Sequence, residues 1–225
     1  MNKVGGTTGR AGILLVDDHP LVREALRTAL SRELDLQVCG EAENQRQALA
    51  AVAACKPALA IVDLALKDSD GLELIREISH RYPEVLTLVL SMHDEMHFAE
   101  RAVRAGANGY ISKQEATTRI LDAVRTVLRG EIYWSEGVAA QVASKAARPD
   151  AAARRLPYDL LSERELQVFE FIGMGRGTAQ TAASLHIDVT TVESHRSRIK
   201  RKLGCGTAAD LLQAAIRWRL ATAYC

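Results

Sequence analysis

A chain of 225 residues, 48% hydrophobic and 25% charged, has room for one large or two ordinary domains and is too apolar for large-scale disorder. It contains no run of about 18 apolar residues to span a membrane, and its first twelve residues lack the apolar core of a secretory signal. The net charge of +1 is unevenly spread: residues 1–153 carry −3 and residues 154–225 carry +4, which fits a metal or phosphate module followed by a nucleic-acid module.

Residues 13–129 alternate short apolar runs with amphipathic stretches. The runs Ile13–Val16, Leu36–Cys39, Leu59–Val62, Thr87–Leu90 and Gly109–Ser112 predict strands. Helical patterns fall near 20–33, 44–55, 71–81, 95–105 and 117–129. Five such βα units predict a doubly wound parallel sheet with helices on both faces. The stretch 136–157 is Ala-rich, then broken by Pro149 and Pro157; its first part is compatible with a short helix and the remainder reads as a linker. Beyond it no strand signal remains. Ser162 and Glu165 form a capping box for an apolar helix over 166–172. Gly173, Gly175 and Gly177 should break that helix, and a short helix follows at 178–185. Asp188 should cap a helix to Leu203, and Thr207 should open the last one, to about Leu220.

The strand ends carry the chemistry. The first strand ends in Asp17-Asp18, the third in Asp63, the fourth in Ser91 and the fifth in Lys113. In an open parallel sheet all carboxyl ends lie along one edge, where ligands bind. Carboxylates crowded there repel one another unless a cation joins them, and a hard ion such as Mg²⁺ suits oxygen ligands. Lys113 and Ser91 supply a positive charge and a hydroxyl for a phosphoryl group, with a carboxylate as nucleophile.

The segments LLVDDHPLVREAL, IVDLAL, DGLELI, LVLSMHDE, AERAVRAGANGYISKQEA and LRGEIYWS closely resemble the receiver domain of two-component response regulators. The resemblance implies a flavodoxin-like (βα)5 fold over 12–132 and phosphorylation of Asp63 by a cognate histidine kinase. It makes Asp18, Asp63 and the Ala65 carbonyl the Mg²⁺ ligands, with Asp17 completing the acidic pocket mostly through water. Ser91 and Lys113 would contact the phosphoryl group, and Tyr110 would be the aromatic switch. Lys67 departs from the proline that many receivers carry there.

In VTTVESHRSRIKRKL, Val189, Val192, Ile199 and Leu203 share helical spacing, while His195, Arg196, Arg198, Lys200, Arg201 and Lys202 occupy other faces. A short helix, a tight turn and an apolar-anchored basic helix place the second helix in a major groove. Residues 158–223, after a linker at 133–157, resemble the LuxR-type helix-turn-helix of the NarL/FixJ family, through LSERELQVFEFIGMG, TAASLHIDVTTVESHRSRIKRKLG and TAADLLQAAI. That resemblance implies double-stranded DNA as partner, contacted by Thr190, Thr191, Glu193, Ser194, Arg196, Arg198 and Lys200. It also implies a homodimer on phosphorylation, the last helix being the family's dimerisation helix. The first helix reads Thr178-Ala179-Gln180-Thr181-Ala182-Ala183 where the family often has Ser-Asn-Lys-Glu-Ile-Ala, so Gln180 lacks the lysine's phosphate contact and Ala182 fills less core.

Competing signals are weaker. Cys39, Cys55, Cys205 and Cys225 show no CxxC or zinc spacing and read as free thiols in a reducing cytoplasm. His93 and His97 flank Asp94-Glu95 without the HExxH order, and the three glycines lack a P-loop lysine. A phosphohydrolase would carry a DxD after the first strand, which DDHP lacks. The expectation is therefore a cytoplasmic, non-enzymatic transcription regulator. The alternative is a constitutive DNA-binding regulator with a receiver-like interaction domain.

Overall fold

The computed structural model describes residues 9–66, 69–92, 95–134, 157–185 and 187–223. Lys67, His93, His186 and nearly all of the expected linker lie outside the described residues. The chain divides into two compact units, 1–143 and 144–225.

The first unit alternates strand and helix: β1 (Ala11–Val16), α1 (Pro20–Ser31), β2 (Leu36–Ala42), α2 (Gln45–Cys55), β3 (Leu59–Asp63), α3 (Gly71–Arg81), β4 (Leu86–Ser91), α4 (Glu95–Ala105), β5 (Gly109–Ser112) and α5 (Lys113–Leu128). All strands pair in parallel, in the order β2-β1-β3-β4-β5. This is the flavodoxin-like arrangement that the sequence predicts. The central strands β1, β3 and β4 are nearly continuous apolar, buried runs because helices cover both faces, whereas the edge strand β2 carries the exposed Gln37 and Glu41. Ile13, Leu15, Ile61, Leu88, Leu90 and Ile111 pack on one side against Leu26 and Leu30 of α1 and Ile120, Val124 and Val127 of α5.

Local chemistry sets the helix starts. Asn44 accepts from the Gln47 N–H, Asp70 from Leu72 and Ser112 from Glu115. Ser112 is both the last residue of β5 and the cap of α5. Hence α5 starts at Lys113, four residues before the expected start at 117, with no loop between them. Beyond α5 the chain returns along the open edge of β5. The Tyr110 N–H donates to the Tyr133 carbonyl at 2.8 Å, and the Tyr133 N–H to the Asn108 carbonyl at 3.2 Å. Main-chain pairing therefore runs one residue past the expected boundary at 132.

The second unit is helical among the described residues. A 3₁₀ turn at Pro157–Leu160 precedes α6 (Glu163–Gly173), α7 (Thr178–Leu185), α8 (Val189–Leu203) and α9 (Ala208–Ala223). The capping box at Ser162 and Glu165 forms as expected. Tyr158, Phe169 and Trp218 pack as tilted ring pairs with centroids 5.7–6.2 Å apart and tie the 3₁₀ turn, α6 and α9 together. Ala182 is buried in this core. The helix α6 ends at the glycines, as expected, with Gly173 as its last residue. A Cβ there would lie 2.8 Å from the Ala215 carbonyl oxygen, so the missing side chain is what lets α9 approach. Gly173→Ala is expected to destabilise this unit by about 1–3 kcal/mol, the usual cost of overpacking, despite alanine's higher helix propensity. Urea unfolding followed at Trp218 checks this; an unchanged or raised midpoint would show that α9 yields freely.

Candidate functional site

The acidic residues meet at the carboxyl ends of β1 and β3. Asp17 and Asp63 are 1% and 2% exposed, and the Lys113 ammonium bridges them, 2.6 Å from Asp17 Oδ2 and 2.9 Å from Asp63 Oδ2. Each Asp63 oxygen has a partner, because Oδ1 accepts from the Ala65 N–H at 3.2 Å. Asp17 is fixed from three directions. Its N–H donates to the Ala42 carbonyl, its own carbonyl accepts from Arg23 at 2.6 Å, and its Oδ1 accepts from the His19 N–H at 2.8 Å. Ser91 is fully buried at the end of β4, one residue beyond the partner of Asp63. Tyr110, 1% exposed, packs inward from β5.

Burial pushes the Asp63 carboxyl above the ordinary carboxylate range; the Lys113 charge opposes this and the Asp17 charge adds to it. Burial also acts against the Lys113 ammonium, but the charges of Asp63 and Asp17 outweigh it and hold the group above its ordinary value. The site is thus short of positive charge, with one ammonium set against several carboxylates.

The donor set fits a hard divalent cation. Oxygen or nitrogen atoms of Asp17, Asp18, His19 and Asp63 all lie within 4.8 Å of one another. The buried Asp18 Oδ1 accepts no hydrogen bond among the described residues and lies 2.8 Å from the His19 ring. A carboxylate oxygen left this way is what a cation would take up. His19 is a member of this cluster that sequence reasoning passed over, although it follows the aspartate pair directly.

In the second unit the expected DNA-contact residues all lie on α8, and its exposure pattern sorts them. Val192, His195 and Ile199 are buried. His195 therefore does not share the basic outer face, as the sequence reading has it. It stands three and four residues from Val192 and Ile199, which puts it on their face, and burial and the Arg198 charge lower its pKa. Thr190, Glu193, Ser194 and Arg198 are exposed, whereas Thr191, Arg196 and Lys200 are half-buried at its margins. Ser197 and Arg201 also lie on the exposed face; Arg201 was counted in the basic set and Ser197 was not singled out, although the spacing 190, 194, 197, 201 is itself helical.

Some polar groups on α8 are already engaged. Glu193 Oε1 accepts from the Thr178 hydroxyl at 2.7 Å, which locks α7 to α8. The Ser194 hydroxyl donates to the Thr190 carbonyl. Lys202, counted with the basic set, donates to the buried Glu165 at 2.6 Å and serves the core instead. Gln180, which replaces the family lysine, accepts from the Gly177 N–H at 3.1 Å and caps the start of α7.

Asp63→Asn should stabilise the cation-free receiver. The raised Asp63 pKa means that the fold prefers the neutral carboxyl, so stability present below the ordinary carboxylate pKa is lost as pH rises through the raised one. The variant should melt roughly 2–6 °C above the parent at pH 7 in a metal chelator. The gap should shrink towards pH 4. Thermal scans across pH check it, and equal melting at pH 7 would mean that Lys113 compensates the buried charge in full.

This geometry agrees with the comparisons. Residues 13–125 match the response regulator receiver domain, and residues 159–215 match the bacterial regulatory proteins of the luxR family. A putative transcriptional regulator of Pseudomonas aeruginosa is 34% identical over 92% of this chain and 98% of its own. The oxygen regulatory protein NreC of Staphylococcus aureus is 31% identical over the same shares. A crystal structure of a LuxR-family two-component response regulator from Aurantimonas sp. superposes with a TM-score of 0.56 at 31% identity, covering 62% of this chain and all of that one. A receiver with its acidic edge, followed by a LuxR-type helix-turn-helix, makes this chain a member of the NarL/FixJ family of two-component response regulators.

Proposed function

We propose that a histidine kinase phosphorylates this regulator on Asp63 and that the modified protein binds double-stranded DNA as a homodimer to control transcription. The observation that carries the reading is the Lys113 bridge: a buried carboxylate on a strand end, held by an ammonium it shares with a second carboxylate. An Asp63 oxygen attacks the phosphorus of the kinase phosphohistidine, the O–P bond forms and the N–P bond breaks. Lys113 then pairs with the added charge of about −1.5 to −2, and Ser91 and Tyr110 respond from β4 and β5. Asp18, Asp63 and the Ala65 carbonyl would hold Mg²⁺, with Asp17 reaching it mostly through water. When bound, the ion neutralises charge on the transferred group.

The outer face of α8 is the DNA-reading surface in this proposal. Thr190, Glu193, Ser194, Ser197 and Arg198 face the groove, while Thr191, Arg196, Lys200 and Arg201 reach phosphates from its margins. Leu212, Ile216 and Leu220 line an exposed apolar stripe on α9 at four-residue spacing, the surface on which two copies would associate. Among the described residues no helix is long and apolar enough to cross a membrane. We place the protein in the cytoplasm and assign it no turnover reaction of its own.

Solution mass with Mg²⁺, before and after beryllofluoride, tests the switch. A monomer that becomes a dimer, and that Asp63→Ala keeps monomeric, supports it. Unchanged mass with no ligand at Asp63 would leave a constitutive DNA-binding regulator. Arg201→Ala should weaken DNA binding evenly across sequences and lower the slope of log K against log salt by about 1, the share of one phosphate contact. Titrations at several salt concentrations read this; an unchanged slope would remove Arg201 from the interface.

A further inference from the structure

Away from the acidic edge, the receiver brings two thiols together. Cys39 Sγ donates a hydrogen bond to Cys55 Sγ across 3.1 Å, and both residues are half-buried. The sixteen positions that separate them in sequence give no hint of this.

Two backbone irregularities produce the approach. Ile13 pairs with Val38 and Leu14 with Gly40, so Cys39 is the extra residue at which β2 slips against β1. Such a bulge re-aims a side chain. Cys55 is the last residue of α2, followed by Lys56 with φ of 43°, the one non-glycine residue of positive φ among the described residues. That left-handed turn ends the helix with its final side chain over β2. The neighbouring glycines leave room. A Cβ at Gly40 would stand 3.5 Å from Cys55 Sγ, and one at Gly12 would stand 3.3 Å from Cys39 Sγ.

We propose that Cys39 and Cys55 are a redox modification site, closing to an intramolecular disulfide under a peroxide oxidant and reopening under thiol reductants. The sulfurs must approach by about 1 Å to reach a bond of roughly 2.05 Å. Peroxide oxidises the Cys55 sulfur to a sulfenic acid and leaves as water. The Cys39 sulfur attacks it, the S–S bond forms, and the sulfenic oxygen departs as a second water. Two thiols and one peroxide thus give one disulfide and two waters. Burial and the neighbouring Cys55 push the Cys39 thiol up to about 12, so the closing step is slow at neutral pH and quickens in base. The bond would staple the end of α2 to β2, at the sheet edge opposite β5, and close a loop around fifteen residues.

The test uses the full chain carrying Cys205→Ser and Cys225→Ser, treated with hydrogen peroxide. The expected result is loss of both remaining thiols, a mass lower by about 2 Da, and one peptide linking Cys39 to Cys55. Dithiothreitol should restore the thiols, and the oxidised form should melt several degrees higher. Adding Cys39→Ser should stop the reaction at a sulfenic acid on Cys55, roughly 16 Da heavier. Gains of oxygen without a crosslink in the parent, a crosslink only between two chains, or two intact thiols would each overturn the proposal.

Discussion

The receiver is organised around one ammonium group shared by two buried carboxylates. Lys113 stands within 3 Å of both Asp17 and Asp63, each of which would be costly to bury alone. The arrangement requires β1, β3 and β5 to end at one level, which the parallel register provides. It also requires Lys113 to be the first residue of α5, immediately after the Ser112 cap, because a loop there would leave the long side chain free to turn to water. The remaining imbalance of charge is what makes the edge receptive to a divalent cation and to added phosphoryl oxygens.

In the second unit a smaller version of the same logic holds the outer helix in place. Glu165 is 3% exposed; one of its oxygens accepts from the Ser162 N–H and from Lys202. A single carboxylate thereby starts α6 and fixes the far end of α8. Burial pushes its pKa up, but the Lys202 and Ser162 hydrogen bonds prevail and lower it. Together with the Thr178–Glu193 bond, this leaves α8 anchored at both ends, with its outer face turned to solvent.

Much of this was legible in the sequence. The parallel, doubly wound sheet follows from five βα units, its flavodoxin-like form from the family resemblance, and each acidic residue, with Ser91, sat where a predicted strand ended. The fold of a parallel sheet does the gathering, so spacing along the chain was enough. Other features depend on contacts that no spacing encodes. Gly173 read only as a helix stop, and its packing role stayed hidden because its close neighbour, Ala215, lies on another helix. His195 read as part of a basic run, though its helical position beside Val192 and Ile199 gives the opposite answer. Lys202 looked like one more surface cation, and only the fold reveals that Glu165 claims it. The cysteine pair depended on a one-residue bulge, which shifts every later side chain of β2 relative to a regular strand.

The return of the chain along β5 bears on where this protein can be cut. A sheet edge with unpaired amides invites pairing with another molecule, and here the backbone of Tyr133 occupies that edge beside Asn108 and Tyr110. A fragment trimmed at the end of α5 would keep every residue of the acidic edge yet expose β5 to self-association. One that retains residues as far as Trp134 carries its own edge guard, so the useful limit of a receiver fragment is set by main-chain hydrogen bonds and not by the last helix.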